Sequence, residues 1–375
     1  MRATHTKETA HTKETARAIG TAEATGRAGT ARSVRAVRTA RGYSFRMDVR
    51  ASLVTLLLAA VVAGAGVVLI GSGDFTMTPG EVVTTLFGHG TFQQEFIVTD
   101  LRLPRVLVGL LVGAALGAGG AVFQTISRNP LGSPDVLGFG QGATVGALTV
   151  IVLFQGGATA VAGGAVAGGL LTGVAVYLLA WKRGVHGFRL VLVGIGAAAM
   201  LTAVTQYLIT KANLVDATRA VVWMTGSLDG RDWAQVWPLL AVCGVLLPLV
   251  FAHGPALRVM EMGDDAAYAL GVRVERTRLV LMGSAVLLVA VATAAAGPIA
   301  FVSLSAPQLA RRLTRSTGPN LVASTFMGAA LLLVADWVAL DAFGDRQLPV
   351  GVVTGVLGGC YLLWLLVSER KAGRI

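Results

Sequence analysis

Four stretches of this chain, Leu53 to Ile70, Val106 to Ile126, Val136 to Phe154 and Leu279 to Ala296, contain no Asp, Glu, Lys or Arg. Few features restrict a fold more. Bilayer hydrocarbon is about 30 Å thick, so about 20 apolar residues cross it as a helix. No water reaches the backbone there, so a spanning segment must be a helix or a strand of a closed barrel. These runs are too long for barrel strands and do not alternate. Composition agrees, with 54% hydrophobic residues, 14% charged residues and a mean hydropathy of +0.70 over 375 residues. A soluble domain of this length needs more charge on its surface. The sequence predicts an all-α, polytopic membrane protein.

Ten spans are expected, at about 51–71, 104–126, 136–154, 158–181, 189–210, 233–252, 278–297, 299–313, 321–340 and 348–367, the eighth being short. The net charge of +11 does not indicate nucleic acid. Its basic residues lie in an N-terminal tail and in short loops between apolar runs. With the N-terminus inside, the inner loops carry Arg128, Lys182, Arg183, Arg189, Arg258, Arg273, Arg276, Arg278, Arg311, Arg312, Arg315, Arg370, Lys371 and Arg374. The outer loops carry Arg102, Arg105, Lys211, Arg219, Arg231 and Arg346. An excess of Lys and Arg marks the cytoplasmic side, so both termini are expected in the cytoplasm, with the chain in the plasma (inner) membrane.

Residues 1–45 read differently from the rest. HTKETA occurs twice, at His5–Ala10 and His11–Ala16, and Thr, Ala, Gly and Arg dominate the remainder of this segment. Nothing there can bury a core, so a disordered tail is expected, with a permease domain over 46–375 after it. No apolar h-region comes after a short basic start, as a signal peptide requires, and Met47 is an alternative start codon.

Glycines at four-residue spacing lie on one helix face and let helices approach closely, since lipid gives no hydrophobic drive for association. Gly109, Gly113 and Gly117, Gly164 and Gly168, and Gly351, Gly355 and Gly359 are expected in such contacts. No Walker-type G-x-x-x-x-G-K-[ST] occurs, so ATP is not bound in that way. Cys243 and Cys360 form no CxxC, and His5, His11, His89, His186 and His253 are scattered, so no metal centre is expected. Charged residues within the spans are scarce, which disfavours an ion-coupled secondary transporter, and no catalytic constellation supports a membrane enzyme. Asp336, near the outer end of the ninth span, is expected close to the interface.

Residues 101–142 read LRLPRVLVGLLVGAALGAGGAVFQTISRNPLGSPDVLGFGQG. With VWMTGSLDGRDW (Val222–Trp233), the block Gly271–Arg312 and QLPVGVVTGVLGGCYLLWLL (Gln347–Leu366), this resembles the vitamin B12/iron-siderophore permease family of ABC importers, across about residues 50–370. The resemblance implies ten transmembrane helices per subunit and two permease subunits around one path. It also implies separate ABC ATPase subunits that hold ATP and Mg, and an external substrate-binding lipoprotein. This chain would bind no cofactor of its own. Much of the family has His after Pro307. Gln308, with Arg311, Arg312, Leu313, Thr314 and Arg315 after it, resembles the ferric-enterobactin branch. That implies a ferric siderophore of catecholate type and a heterodimer with a second permease; haem or cobalamin is the alternative cargo.

The resemblance also suggests roles for particular residues. In the loop RVMEMGDDAAYALGVR, Gly263 breaks one helix, Asp264 and Asp265 favour the start of another, and Gly271 can cap its end. Ala266, Ala267, Ala269 and Leu270 offer a small apolar face. In the family this is the helix that docks on the ATPase. Arg102 and Arg105 resemble arginines that pair with the binding protein; another family arginine is Leu340 here, with Arg346 as a nearby substitute. Arg128, Asn129, Pro130 and Pro134 shape a turn, with a gate as the functional alternative. Gly297-Pro298 divides the seventh and eighth spans. The fifth and tenth spans line the family's path, which makes Met200, Thr202, Gln206 and Thr354 candidate path residues.

Overall fold

The computed structural model describes residues 34–38, 44–73, 75–181, 187–316, 318–342 and 347–371. The rest of the tail expected over 1–45 lies outside them. Two short strands, β1 (Val34–Arg38) and β2 (Ser44–Asp48), pair antiparallel with Val37 opposite Phe45 and Arg35 opposite Met47. This departs from the expectation of a tail without regular structure up to residue 45. The local reason is the alternation of Phe45 and Met47 with Ser44, Arg46 and Asp48, a period of two that suits a strand. Contacts divide the chain at Ser52, with the helical body beginning at Leu53.

Helices build everything after the hairpin. They are α1 (Val49–Gly71), α2 (Pro79–Leu86), α3 (Phe92–Glu95), α4 (Leu103–Ser127), α5 (Phe139–Leu153), α6 (Ala158–Ala180) and α7 (Gly187–Lys211). Then come α8 (Leu214–Met224), α9 (Trp233–Ala252), α10 (Gly254–Met260), α11 (Asp264–Ala269), α12 (Val274–Ala296), α13 (Val302–Thr314), α14 (Leu321–Asp341) and α15 (Val350–Lys371). A π-helical segment, Phe96–Arg102, joins α3 to α4. Each of the ten expected spans falls on one of α1, α4, α5, α6, α7, α9, α12, α13, α14 and α15. Among the described residues, seven helices are long and apolar enough to cross a membrane alone, and α5 and part of α15 are shorter apolar helices. With 13 residues, α13 reaches only about 20 Å. The non-helical stretch before it is tolerated because Gly297 and Ile299 are buried in the bundle and Pro298 and Ala300 line a cavity.

Helix α4 is the axis of the body, with nearly every residue from Val108 to Ile126 buried. It packs most closely on α14, where a Cβ at Gly113 would lie 2.5 Å from the Gly328 carbonyl oxygen, and Gly117 meets the Ser324 carbonyl. Gly164 and Gly168 of α6 lie against Gly146 and Gly142 of α5 in the same manner. Gly351 abuts the Thr225 carbonyl, but Gly355 and Gly359 have nothing within 4 Å. The small-residue spacing of α15 therefore marks a contact at one of three positions. The other two glycines look outward from the chain.

Candidate functional site: an arginine-rich end and a polar cavity

The loop between α10 and α12 is built as its residues suggest. Gly263 has φ 120° and Gly271 φ 82°, left-handed conformations that a side chain strains. Between them, α11 carries Asp264 and Asp265 in its first turn. Ala267 is turned inward onto Met260 and Val274. Asp265, Ala269 and Leu270 are exposed and Ala266 is half-buried, so the expected apolar face is split. Tyr268 and Met262, not singled out from sequence, join Leu270 as its exposed large residues. Burial pushes the Glu261 carboxyl above its usual range, against the pull of Arg311 and Arg258.

Asp264 does more than start a helix. One carboxylate oxygen accepts from Arg128 at 2.7 Å, and the other accepts from Arg278, also at 2.7 Å. Arg278 is almost fully buried and reaches Glu275 at 2.9 Å as well. Arg128 ends α4 in a left-handed conformation, φ 50°, and donates to the Met260 carbonyl at 3.2 Å. The turn after it forms as expected, with Asn129 Oδ1 accepting from the Leu131 N–H at 2.9 Å. Pro134 is buried. The Pro130 carbonyl accepts from Gln308 Nε2 at 2.7 Å, and Gln308 Oε1 accepts from the Tyr361 hydroxyl at 3.2 Å.

Deeper in the body lies a cavity of about 360 Å³ between α5, α7, α12 and the start of α15. Its wall mixes apolar surface, from Met224, Pro298 and Ile299 among others, with the hydroxyls and amides of Gln141, Thr144, Thr202, Thr205, Gln206 and Thr293, and Asp135 is its one ionisable side chain. A second cavity, of about 380 Å³, shares Asp135, Gln141 and Ala300 with the first and is lined by Phe301. Ser303 Oγ donates to Asp135 Oδ2 at 2.6 Å, which ties the loop before α5 to the start of α13. Of the candidate path residues, Thr202 and Gln206 line the cavity. Met200 is exposed and does not, and Thr354 is buried with its hydroxyl on the Gly351 carbonyl. Asp135 and Gln141 were missed because their neighbours suggest only a turn and an apolar helix.

At the opposite end of the body, Arg105 is held by Asp336 at 2.9 and 3.0 Å and lies 3.6 Å from Asp229. Arg102 donates to the Ile70 carbonyl at 2.7 Å. Both arginines are thus engaged within the chain. Asp336 lies near the end of α14, as expected, yet is fully buried: ion pairing with Arg105 allows it to leave water. Arg346 lies outside the described residues.

Comparison with known proteins gives the family. The model of the FecCD transport family matches residues 56–368. The chain belongs to that family. The ferric enterobactin transport system permease protein FepG of Escherichia coli (strain K12) is 46% identical over 322 residues, 86% of this chain and 98% of FepG. The iron(3+)-hydroxamate import system permease protein FhuG of Bacillus subtilis (strain 168) is 37% identical over 84% of this chain and 96% of its own length. A solved structure described as an inward-facing conformation of a metal-chelate type ABC transporter superposes with a TM-score of 0.75. It is 24% identical, covers 85% of this chain and 99% of its own, and speaks for the fold. This FecCD-family chain is a multi-pass membrane protein and the permease subunit of an ABC importer.

Proposed function

We propose that this permease carries a ferric siderophore, of catecholate type, across the plasma (inner) membrane into the cytoplasm. The observation that carries the reading is the 46% identity to a ferric enterobactin permease along 98% of that relative. The cavity agrees with it. Hydroxyls and amides set in a mostly apolar wall can shed and re-form hydrogen bonds with a bulky chelate, without the deep binding that a fixed charge cluster would impose.

ATP is hydrolysed on a separate ABC ATPase, which holds ATP and Mg and docks on α11 and its flanks through Tyr268, Leu270 and Met262. Small side chains at Ala266 and Ala269 allow close approach. The concentration of arginines at this end, at 128, 258, 273, 276, 278, 311, 312 and 315, supports a cytoplasmic location for it and for both termini. An external substrate-binding lipoprotein delivers the cargo to the end with Arg102 and Arg105, with Arg346 as a further docking candidate from sequence. Because Asp336 neutralises much of the Arg105 charge, that residue steers docking less than an unpaired arginine would. A second, related permease completes the path, which makes the transporter a heterodimer in the membrane plane.

Uptake of radioactive iron in a strain deleted for this chain tests the reading. Supplying the chain should restore uptake of a ferric catecholate, and do so better than uptake of a ferric hydroxamate or citrate. Restoration of none of the three, with the ATPase and binding protein present, would refute it.

A further inference from the structure

We propose that Arg128 and Gln308 are positioning residues that carry movement of the α10–α11 loop to α15, the helix whose first turn closes the polar cavity. The inference rests on the reading of that loop as the ATPase-docking surface.

The contacts form an unbroken run. The Arg128 guanidinium grips the loop at two points, the Asp264 carboxylate at 2.7 Å and the Met260 carbonyl at 3.2 Å. On the far side of Asp264, buried Arg278 fixes the same carboxylate to α12. Two residues past Arg128, the Pro130 carbonyl is held by Gln308 of α13 at 2.7 Å. The intervening turn is stiff: Asn129 accepts from the Leu131 N–H with its side chain and from the Gly132 N–H with its carbonyl, both at 2.9 Å. Gln308 then accepts from Tyr361 of α15 at 3.2 Å. Gly351, in the first turn of that helix, lines the cavity.

Two features make this a linkage rather than general packing. Gln308 is 8% exposed with both ends of its amide engaged, so losing either partner leaves a buried polar atom unpaired. The elements it joins, the turn after α4 and the middle of α15, meet through this side chain's two hydrogen bonds, which have direction where apolar contacts slide. Displacement of Asp264 therefore reaches Pro130 through a closed turn and Tyr361 through one amide.

Relays of this kind require evidence of coupling, since adjacency alone does not establish it. The full complex, with both permeases, ATPase and binding protein, is reconstituted in proteoliposomes. Ferric-chelate uptake and phosphate release are recorded together. Arg128→Gln and Gln308→Met should each lower uptake per ATP hydrolysed about tenfold, with hydrolysis retained within about twofold. The double variant should lose no more than the worse single one, because both act in one run. Arg128→Lys should keep most of the wild-type ratio. An unchanged ratio in either single variant, losses that multiply in the double variant, or hydrolysis falling in parallel with uptake would overturn the proposal.

A second measurement stands even if a variant fails to assemble. Spin labels at Leu131→Cys and Arg273→Cys, both exposed positions, with the exposed native Cys360 replaced by Ser, report the distance between the turn and the end of the docking loop in the assembled complex. It should stay constant between nucleotide-free and ATP-analogue-bound states, and a change of several ångströms would overturn the relay. If the wild-type complex imports no ferric chelate, the proposed function fails, while the label distance still judges the linkage.

Discussion

The Arg105 guanidinium and the Asp336 carboxylate, 231 positions apart in sequence, meet through two hydrogen bonds of 2.9 and 3.0 Å. The aspartate is fully buried and the arginine side chain 18% exposed. Breaking such a pair strands a charge, whereas replacing both partners can be neutral. Asp336→Ala should therefore destabilise the protein by about 3–5 kcal/mol, and Arg105→Met with Asp336→Leu should recover much of that. Thermal unfolding in detergent measures both. Equal loss in the single and double variants would contradict the assignment.

Close approach of α4 and α14 depends on missing side chains. A Cβ at Gly113 would meet the Gly328 carbonyl oxygen at 2.5 Å, and backbone cannot yield as a side-chain tip can. Gly113→Val should cost at least the 1–3 kcal/mol typical of overpacking, roughly, and lower the yield of folded protein. Gly355→Ala, with open space at its Cβ, should leave the melting temperature of the isolated chain unchanged.

Leu270 is 64% exposed beside the Gly271 turn, and Tyr268 is 54% exposed. Neither contributes to the buried core. Leu270→Asp should keep the melting temperature within about 1 °C while reducing the ATPase retained by the purified permease, since surface changes of this kind seldom alter stability. Full retention of the ATPase would place docking elsewhere.

Gln206 lines the cavity of about 360 Å³. Gln206→Trp fills part of that volume with a rigid ring and should reduce uptake of a large ferric chelate by about tenfold or more, against little change in folding. Met200→Trp, at an exposed position outside the cavity wall, should have a smaller effect on the isolated path. Uptake assays with matched protein levels decide between them.

Thr78 and Glu81 form a capping box at the start of α2. The Thr78 backbone N–H donates to Glu81 at 2.7 Å and its hydroxyl at 2.8 Å, which holds the carboxyl below the usual 4.5. A depressed carboxylate stabilises above its unfolded value and loses that stabilisation as pH falls through the folded one. The protection of α2 amides, as exchange divided by its intrinsic rate at each pH, should thus weaken as pH drops below 4.5. Glu81→Gln, which can still close the box, should abolish that dependence.

The legible and illegible parts of the protein divide along one physical line. The ends of α4, α9 and α14 agree with the sequence reading within a residue, because a spanning segment must satisfy its own backbone and the bilayer sets its length. The turns at Gly263 and Gly271 were also readable, since a left-handed conformation selects glycine locally. Local chemistry thus gave the ten helical segments, their limits to within about four residues, and the two glycine turns. The motifs of 101–142 settled the family.

Rotation of each helix about its axis was not readable in this way. A span apolar on every side gives no facing signal, because lipid and protein interior favour the same residues. The sequence could therefore not say that Gly113 faces Gly328 while Gly355 faces open space, or that Asp135 looks into a cavity. Nor could it join Arg105 to Asp336, or Pro130 to Gln308 and Tyr361. Those facts depend on which faces meet when the bundle assembles, and buried polar groups make the assembly specific because each must find its partner there.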